Sequence, residues 1–452
     1  MNAPLPPVTT PPNTAPSAEK PLKVLLISLF HPELVRGGAQ QICYELFEGM
    51  QERADLDPYL LASIDGSFPA LHKSGARITG FDGRKNEFLF LSKEYDYWWH
   101  RSCNALLLES YAEFLRMLQP DVVHVHHFLT LGVDLLTLTR KVLPNVRIVF
   151  TFHEFMTICA ADGHMLRKND KSLCTHASPV RCHQCFPELP PEQFFTRERW
   201  MKKHMSVVDV FTTPSQFMIQ HYVDWGIDPE RIFKVANVQR NRGEAVVFDE
   251  DPDRKRNRFG FFGQMVDAKG IHVILQAVDI LRAQGFTDFI VEINGDNLRY
   301  ASEARRKQIE EFLAKETELP TAEQNVIFNG SYQVDQLASR MSRIDWVIVP
   351  SVWWEIFCLV ISEAWMFKRP VIVSNVGGPK ERVTDGVDGL HFQVGDPQSL
   401  ATTMKRAITE NGLWQTLSKG IAPPPRRDDM VQGYLSKYAP GRAPPTQANG
   451  IP

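Results

Sequence analysis

The chain has no run of about 18 consecutive apolar residues, so the sequence offers no membrane-spanning helix. It also has little net charge, formally -3 at pH 7 from 50 basic and 53 acidic side chains. A nucleic-acid binder would carry a strong basic excess, so that class is set aside. Residues 1–20 are rich in Pro, Thr and Ala but lack the charged-then-apolar layout of an export signal. Such a composition predicts a disordered tail. Without a signal the expected location is the cytoplasm, where thiols stay reduced, so the seven cysteines are not read as a disulfide framework. No short internal repeat is visible. The Asp-x-Asp strings Asp55-Leu56-Asp57 and Asp251-Pro252-Asp253 are of a kind that occurs by chance, and they carry little weight as a metal site.

What is present is ordinary globular material. The 452 residues leave room for two or three domains, and 43% hydrophobic with 23% charged residues supports real cores. Short apolar runs alternate with amphipathic stretches. Lys23–Ser28 reads as a buried strand. After Gly37-Gly38, the apolar positions Ala39, Ile42, Cys43, Leu46, Phe47 and Met50 recur with helical period. Further strands are expected at Asp121–His126, Arg147–Phe152, Val208–Thr213 and Arg231–Ala236. A second series lies at Arg258–Phe262, Phe289–Asn294, Val326–Asn329, Trp346–Pro350, Pro370–Ser374 and Gly389–Val394. The fold class is therefore α/β, with two doubly wound, Rossmann-like domains facing across a cleft. The expected plan is a tail (1–20), a first domain (21–242) with a Cys-rich insertion (159–191) and a polar linker (243–257). A second domain (258–425) follows, then a helix (426–440) that would cross back to the first domain, and a disordered tail (441–452).

In open α/β sheets, ligands bind beyond the carboxyl ends of the strands. Four loops at such ends stand out in the second half: Gly263–Gly270, the turn after Asn294 (Gly295-Asp296-Asn297), Pro350–Glu363, and Gly377-Gly378. Glycines let backbone approach a ligand, and a helix N-terminus with a nearby Lys269 suits phosphate. If Ile356 or Phe357 opens a helix, Glu355 sits at its mouth and Glu363 two turns in. Carboxylates there can accept pairs of sugar or ribose hydroxyls.

The run Glu355–Glu363 (E-x7-E), followed by Ala364, Pro370-Val371-Ile372 and Gly377-Gly378, resembles the retaining family 4 glycosyltransferases of the GT-B fold, of the bacterial surface-glycan type. Gly37-Gly38, DVVHVH, TFHEF, Pro214-Ser215 and Lys269-Gly270 also match, so the likeness runs from about Leu22 to Ile408. It implies a nucleotide-sugar (UDP- or GDP-sugar) co-substrate, no cofactor for catalysis, and a saccharide or lipid-linked saccharide acceptor. It implies that Glu355 contacts the donor sugar, Glu363 the ribose and Lys269 the diphosphate. Amides of Phe357, Cys358 and Leu359 would assist, His153 would lie near the reacting sugar, and Gly38 would let the first helix approach the diphosphate. Gly263, Gln264, Asn294, Gly295 and Asp296 complete the expected donor site. Two positions depart from the pattern: Gln264 stands where the family has Arg, and Ala236-Asn237-Val238 replaces Pro-Asn-Gly. With one cation missing, Lys269 and the helix dipole carry more of the leaving charge. The expected route is metal-independent and retaining, the acceptor attacking as the phosphate leaves. A nucleotide-sugar epimerase and a non-catalytic binding module are the competing readings.

Three features stand outside that pattern. Cys159, Cys174, Cys182 and Cys185, with His164, His176 and His183 among them, have ligand types suited to a structural zinc, although only the last pair has standard spacing. Reduced thiols in a loop are the alternative. Phe194–His204 mixes aromatics with basic residues; a solvated helix with core-facing Phe and Trp is preferred over a peripheral membrane contact at the inner face. His124, His126 and His127 are read as a strand end rather than a metal cluster, Trp98-Trp99 as packing, and Cys43, Cys103 and Cys358 as small core residues. Trp353-Trp354 divides evenly between packing and ligand contact.

Overall fold

Strands formed by the short apolar runs build two parallel sheets. A computed structural model describes residues 20–35, 37–64, 77–81, 83–92, 94–239 and 254–439. Apart from Lys20, the expected tails lie outside the described residues, as does all of the expected linker before residue 254. The first sheet contains β1 (Leu22–Ser28), β2 (Leu56–Ile64), β3 (Ile78–Gly80) and β4 (Glu87–Leu91). A small separate hairpin follows, β5 (Tyr95–Asp96) with β6 (Arg101–Ser102). The first sheet then continues through β7 (Val122–Val125), β8 (Arg147–Thr151), β9 (Val210–Thr213) and β10 (Ile232–Lys234). Its order is β10-β9-β8-β7-β1-β2-β4-β3, and only β3 runs antiparallel to its neighbour. The second sheet holds β11 (Arg258–Phe262), β12 (Ile290–Asn294), β13 (Val326–Gly330), β14 (Trp346–Val349), β15 (Val371–Ser374) and β16 (Gly389–Phe392). Its order is β13-β12-β11-β14-β15-β16.

Each order reverses once, between β1 and β7 in the first sheet and between β11 and β14 in the second. The loops leaving strands on either side of such a reversal diverge to opposite faces and open a crevice. Both faces of each sheet are largely covered, so most strands are mainly apolar rather than alternating, the edge strand β13 with its exposed Ile327 and Phe328 being an exception.

The helix Arg427–Tyr438 belongs to the first domain's core. Met430, Val431, Tyr434 and Tyr438 form one stripe and pack with Val24, Leu26, Ile42 and Val235. Arg427 reaches Glu45 (2.6 Å) and Glu48 (3.0 Å) on the helix Gly38–Gln51 and Glu52 (2.8 Å), its C-cap residue. Tyr438 Oη lies 2.7 Å from His124 Nδ1.

The helix Pro191–Met205 buries Phe194, Arg197, Met201, His204 and Met205. Trp98 packs edge-on to Phe194, and Trp200 donates to the Trp99 carbonyl at 2.7 Å. These contacts are the packing expected of Trp98-Trp99. No described helix is long and apolar enough to cross a membrane. One core expectation is corrected: Cys43 and Cys358 are buried, but Cys103 is exposed, just beyond the hairpin strand β6.

Candidate active site

At the reversal of the second sheet, the loop after β11 meets the loop after β14. Lys269 closes a short 3-10 turn (Asp267–Lys269) in the first of these, and Glu355 lies in the second. Lys269 Nζ is 2.6 Å from Glu355 Oε2. The same oxygen accepts from Ser351 Oγ and Trp353 Nε1, each at 3.1 Å. Lys269 Nζ also stands 5.5 Å from the centre of the Trp353 ring. Burial works against the ammonium charge, but the Glu355 carboxylate, aided by Cys358, outweighs it and holds Lys269 above its ordinary value.

The helix after this loop starts later than expected. It runs Leu359–Met366, because Cys358 has φ 63° and cannot continue a right-handed turn. Glu355 therefore lies in extended chain before the helix rather than at its mouth. Glu363 is the fifth residue of the helix. Arg382 explains the kink. It donates to the carbonyls of Phe357 (2.9 Å) and Cys358 (2.8 Å) and to Ser362 Oγ (2.7 Å), with its guanidinium 3.7 Å above the Phe357 ring. In a trans peptide the N–H points opposite the carbonyl, so the amides of Cys358 and Leu359 turn away from Arg382. Among the described residues, the N–H groups of Phe357 and Cys358 have no acceptor. Gly377 and Gly378 fit under this bend. Gly378 N donates to the Glu355 carbonyl at 2.7 Å. A Cβ at Gly378 would come within 2.2 Å of the Ile356 carbonyl oxygen.

The remaining expected donor residues divide. Gly263 and Gly295 press on each other: a Cβ on Gly295 would fall 1.9 Å from the Gly263 oxygen. Gly295 is thus required by the neighbouring loop. Asn294 is fully buried and accepts from Arg340 (2.9 Å) and Asn329 (3.2 Å), which makes it a tie between strand ends. Gln264 and Asp296 are exposed, with Asp296 Oδ1 accepting from the Asn297 amide at 2.6 Å. Glu363 Oε1 accepts from Gln239 Nε2 at 3.3 Å, a residue that follows β10 of the first sheet. Gly38 opens the first helix, and a Cβ on it would lie 3.6 Å from the Leu359 side chain, an ordinary contact.

On the first domain, His153 follows β8. Its Nε2 is 3.0 Å from His126 Nδ1, and the two rings stack. Burial, with His127 nearby, lowers His153 to about 3, so it is a neutral imidazole at pH 7. Glu154 beside it is raised to about 8 by burial, against the Met156 amide and Arg197. His127 Nε2 stands 3.6 Å from Glu154. His124 sits under the C-terminal helix rather than at the strand's open end.

The insertion reaches across to the loop after β14. Trp354 Nε1 donates to the Cys174 carbonyl at 2.9 Å, and its ring stacks on Phe217. His164 meets Trp353 edge-on at 5.1 Å. Glu381 accepts from the amides of Gln216 and Phe217, both at 2.9 Å. The four cysteines line one small cavity of about 30 Å³. Among the described residues, no group of three or more His, Cys, Asp or Glu side chains is arranged to hold a metal ion. The Cys174 thiol is turned to the His176 carbonyl and that of Cys159 to the Ala161 carbonyl, while Cys182 and Cys185 are one helical turn apart.

With this geometry in view, the comparisons are decisive about kinship. One family model, glycosyltransferase family 4, matches residues 36–238, and another, glycosyl transferases group 1, matches residues 244–421. The chain is a family 4 glycosyltransferase of the GT-B fold. A lipopolysaccharide 1,2-N-acetylglucosaminetransferase of Salmonella typhimurium is 25% identical to this family 4 member over 64% of the chain and 72% of the relative. An uncharacterised glycosyltransferase of Methanocaldococcus jannaschii is 30% identical over 36% of the chain, a match spanning only 41% of that relative. Among solved structures, HepE of Anabaena in complex with UDP superposes with a TM-score of 0.63 at 17% identity, covering 92% of this chain and 98% of HepE. A glycosyltransferase of Rickettsia africae gives the same TM-score at 15% identity, over 92% and 98% of the two chains. These likenesses establish the fold.

Proposed function

We propose that this family 4 glycosyltransferase moves a sugar from a nucleotide-sugar donor, UDP- or GDP-linked, to a hydroxyl of a saccharide or lipid-linked saccharide. The product would be a cell-surface glycan, formed with retention at the anomeric carbon. The observation that carries the reading is the Lys269–Glu355 pair beside the free amides of Phe357 and Cys358, at the strand-order reversal of the second sheet. It combines a cation and N–H donors for a diphosphate with a carboxylate for sugar hydroxyls. Related names support the class: the Salmonella relative transfers N-acetylglucosamine in lipopolysaccharide, and HepE has been crystallised with UDP-glucose.

In this reading the diphosphate gains charge as the bond to the anomeric carbon breaks, and Lys269 with the amides stabilises it. Glu355 accepts hydroxyls of the donor sugar, and Glu363 accepts those of the ribose. The neutral His153 offers a hydrogen bond near the reacting sugar. No protein nucleophile and no metal ion take part, and the acceptor attacks on the face the phosphate leaves. The retaining course parallels the oxocarbenium-like transition state of glycoside hydrolysis.

A panel of UDP-, GDP-, ADP- and dTDP-sugars, followed by thermal shift and by slow donor hydrolysis, tests the proposal against Glu363→Ala. A stabilising donor that is consumed, with the response weakened in the variant, is expected. No response to any nucleotide sinks the function, and a response untouched by Glu363→Ala sinks the ribose assignment alone.

A further inference from the structure

One side chain at the interface has no part in the scheme above. His164 belongs to the first domain's insertion, yet its ring packs edge-on against Trp353 of the second domain, centroids 5.1 Å apart at 84°. Trp353 in turn donates to Glu355 and lies beside Lys269. The charges acting on His164 are Asp162, on its own turn, and Lys269 and Glu355 across the interface. Neither ring nitrogen has a hydrogen-bond partner among the described residues. His164 is exposed to solvent, and an imidazole with both nitrogens unfilled offers spare donor and acceptor capacity beside Trp353 and Lys269.

The turn that presents it is tightly fixed. Asp162, Gly163 and Met165 all have positive φ, at 51°, 69° and 46°. A Cβ on Gly163 would come within 2.5 Å of Glu154 Oε2 and 2.7 Å of the Met156 amide. The turn is thus seated against the floor of the first domain, and non-glycine residues hold left-handed backbone only where their surroundings enforce it.

The donor domain is short of one positive group. Gln264 is neutral and exposed, and Lys269 already shares its charge with Glu355 at 2.6 Å. On the donor-site reading proposed above, we infer that His164 donates a hydrogen bond to the leaving phosphate of the bound nucleotide sugar, so that the first domain supplies part of the anion site. As the bond from anomeric carbon to phosphate oxygen breaks, its electron pair stays on that oxygen. The acceptor oxygen forms the new bond, and its proton passes to the phosphate. His164 keeps its own proton and lends only the hydrogen bond.

Burial keeps the free His164 below its ordinary value; Asp162 and Glu355 pull it up and Lys269 pushes it down. A bound diphosphate adds negative charge and draws a proton onto the ring. Its binding therefore carries proton uptake that depends on this residue.

Calorimetry with UDP, GDP and ADP tests this on the full chain, as wild type, His164→Ala and His164→Gln, at pH 6.5 in two buffers of different ionisation heat. The diphosphate that binds wild type is expected to bind His164→Ala about tenfold more weakly, the loss typical of a hydrogen bond to a charged group. His164→Gln, which keeps an N–H, recovers most of the affinity, and the buffer-dependent heat disappears in both variants. Should the Ala variant not fold, His164→Leu, similar in size and unable to hydrogen-bond, takes its place. Variants that match wild type in affinity and in buffer dependence overturn the inference and leave the donor site standing. If wild type binds none of the three, the donor-site reading fails and the inference falls with it.

Discussion

Replacing Glu381 by Ala is expected to loosen one domain from the other without unfolding either. Glu381 lies on the short helix Gly377–Arg382 of the second domain, and its carboxylate takes the first two amides of the helix Gln216–Trp225 in the first. The local N-cap residue, Ser215, makes no side-chain cap there, so the cap comes from another domain. Lys234 adds a contact to the same carboxylate at 2.5 Å, but its side chain is 43% exposed, which limits the pair to well under ~1 kcal/mol. Losing a helix cap made of charged hydrogen bonds costs roughly 2 kcal/mol in all. At ~1.4 kcal/mol per factor of ten, the equilibrium favouring this domain arrangement falls about 30-fold.

The effect carries a pH signature. Burial favours the protonated acid, but Lys234 and the two amides outweigh it and leave Glu381 below its ordinary value. A carboxylate depressed in the folded state stabilises it fully above the ordinary glutamate range, and the gain is lost as pH falls through the depressed value. Small-angle scattering should show a larger radius of gyration for Glu381→Ala at pH 7, with a raised donor KM. Wild type should expand only as pH drops through the acid range. An unchanged radius and an unchanged KM in a folded variant would refute the reasoning.

Three further outcomes are expected. Glu355→Gln removes the carboxylate proposed to accept hydroxyls of the donor sugar, so kcat falls by about 10²–10³, the scale of losing one preorganised electrostatic contact, while affinity in calorimetry for a nucleoside diphosphate, which lacks the sugar, changes little. Gly378→Ala forces a methyl against the Ile356 carbonyl and lowers stability in urea titration by roughly 1–3 kcal/mol; a neutral result would show that the bend can yield. Arg427→Met breaks contacts to the buried Glu45 and to Glu48 and Glu52, at a cost on the order of 3 kcal/mol that hydrogen exchange should localise to the terminal helix.

The strands of the second domain were legible because most are short, mainly apolar runs between turn residues. Strand β2 was harder to read: Asp57 and Pro58 interrupt its apolar run, and Pro58 lies where β2 pairs only with β1, before its pairing with β4 begins at Leu60. The Glu355–Glu363 spacing singled out the loop after β14 but misplaced its helix start. The cause, Arg382 gripping two carbonyls about 25 positions away, leaves no mark in local periodicity. Asn294 and Gly295 were read as ligand-facing because strand ends often are, while their long-range partners Arg340 and Gly263 claim them instead. Glu154 was on the page as part of TFHEF, but nothing in a five-residue string announces that burial will hold its carboxyl near neutrality. His164 and Glu381 were beyond sequence reasoning, since each acquires meaning only when the two domains meet. The cysteines show the converse: clustering in sequence did bring all four to one cavity.

The terminal helix, seated on the first domain, has a mechanical consequence. The chain passes between the domains twice, once between residues 239 and 254 and again between 421 and 427. A body held by a single tether can swing in any direction, whereas one held at two points swings about the line that joins them. Donor entry and product release would then follow one axis, like a gate on a pair of pintles. Cutting the chain before Arg427 would turn that gate into a pendulum.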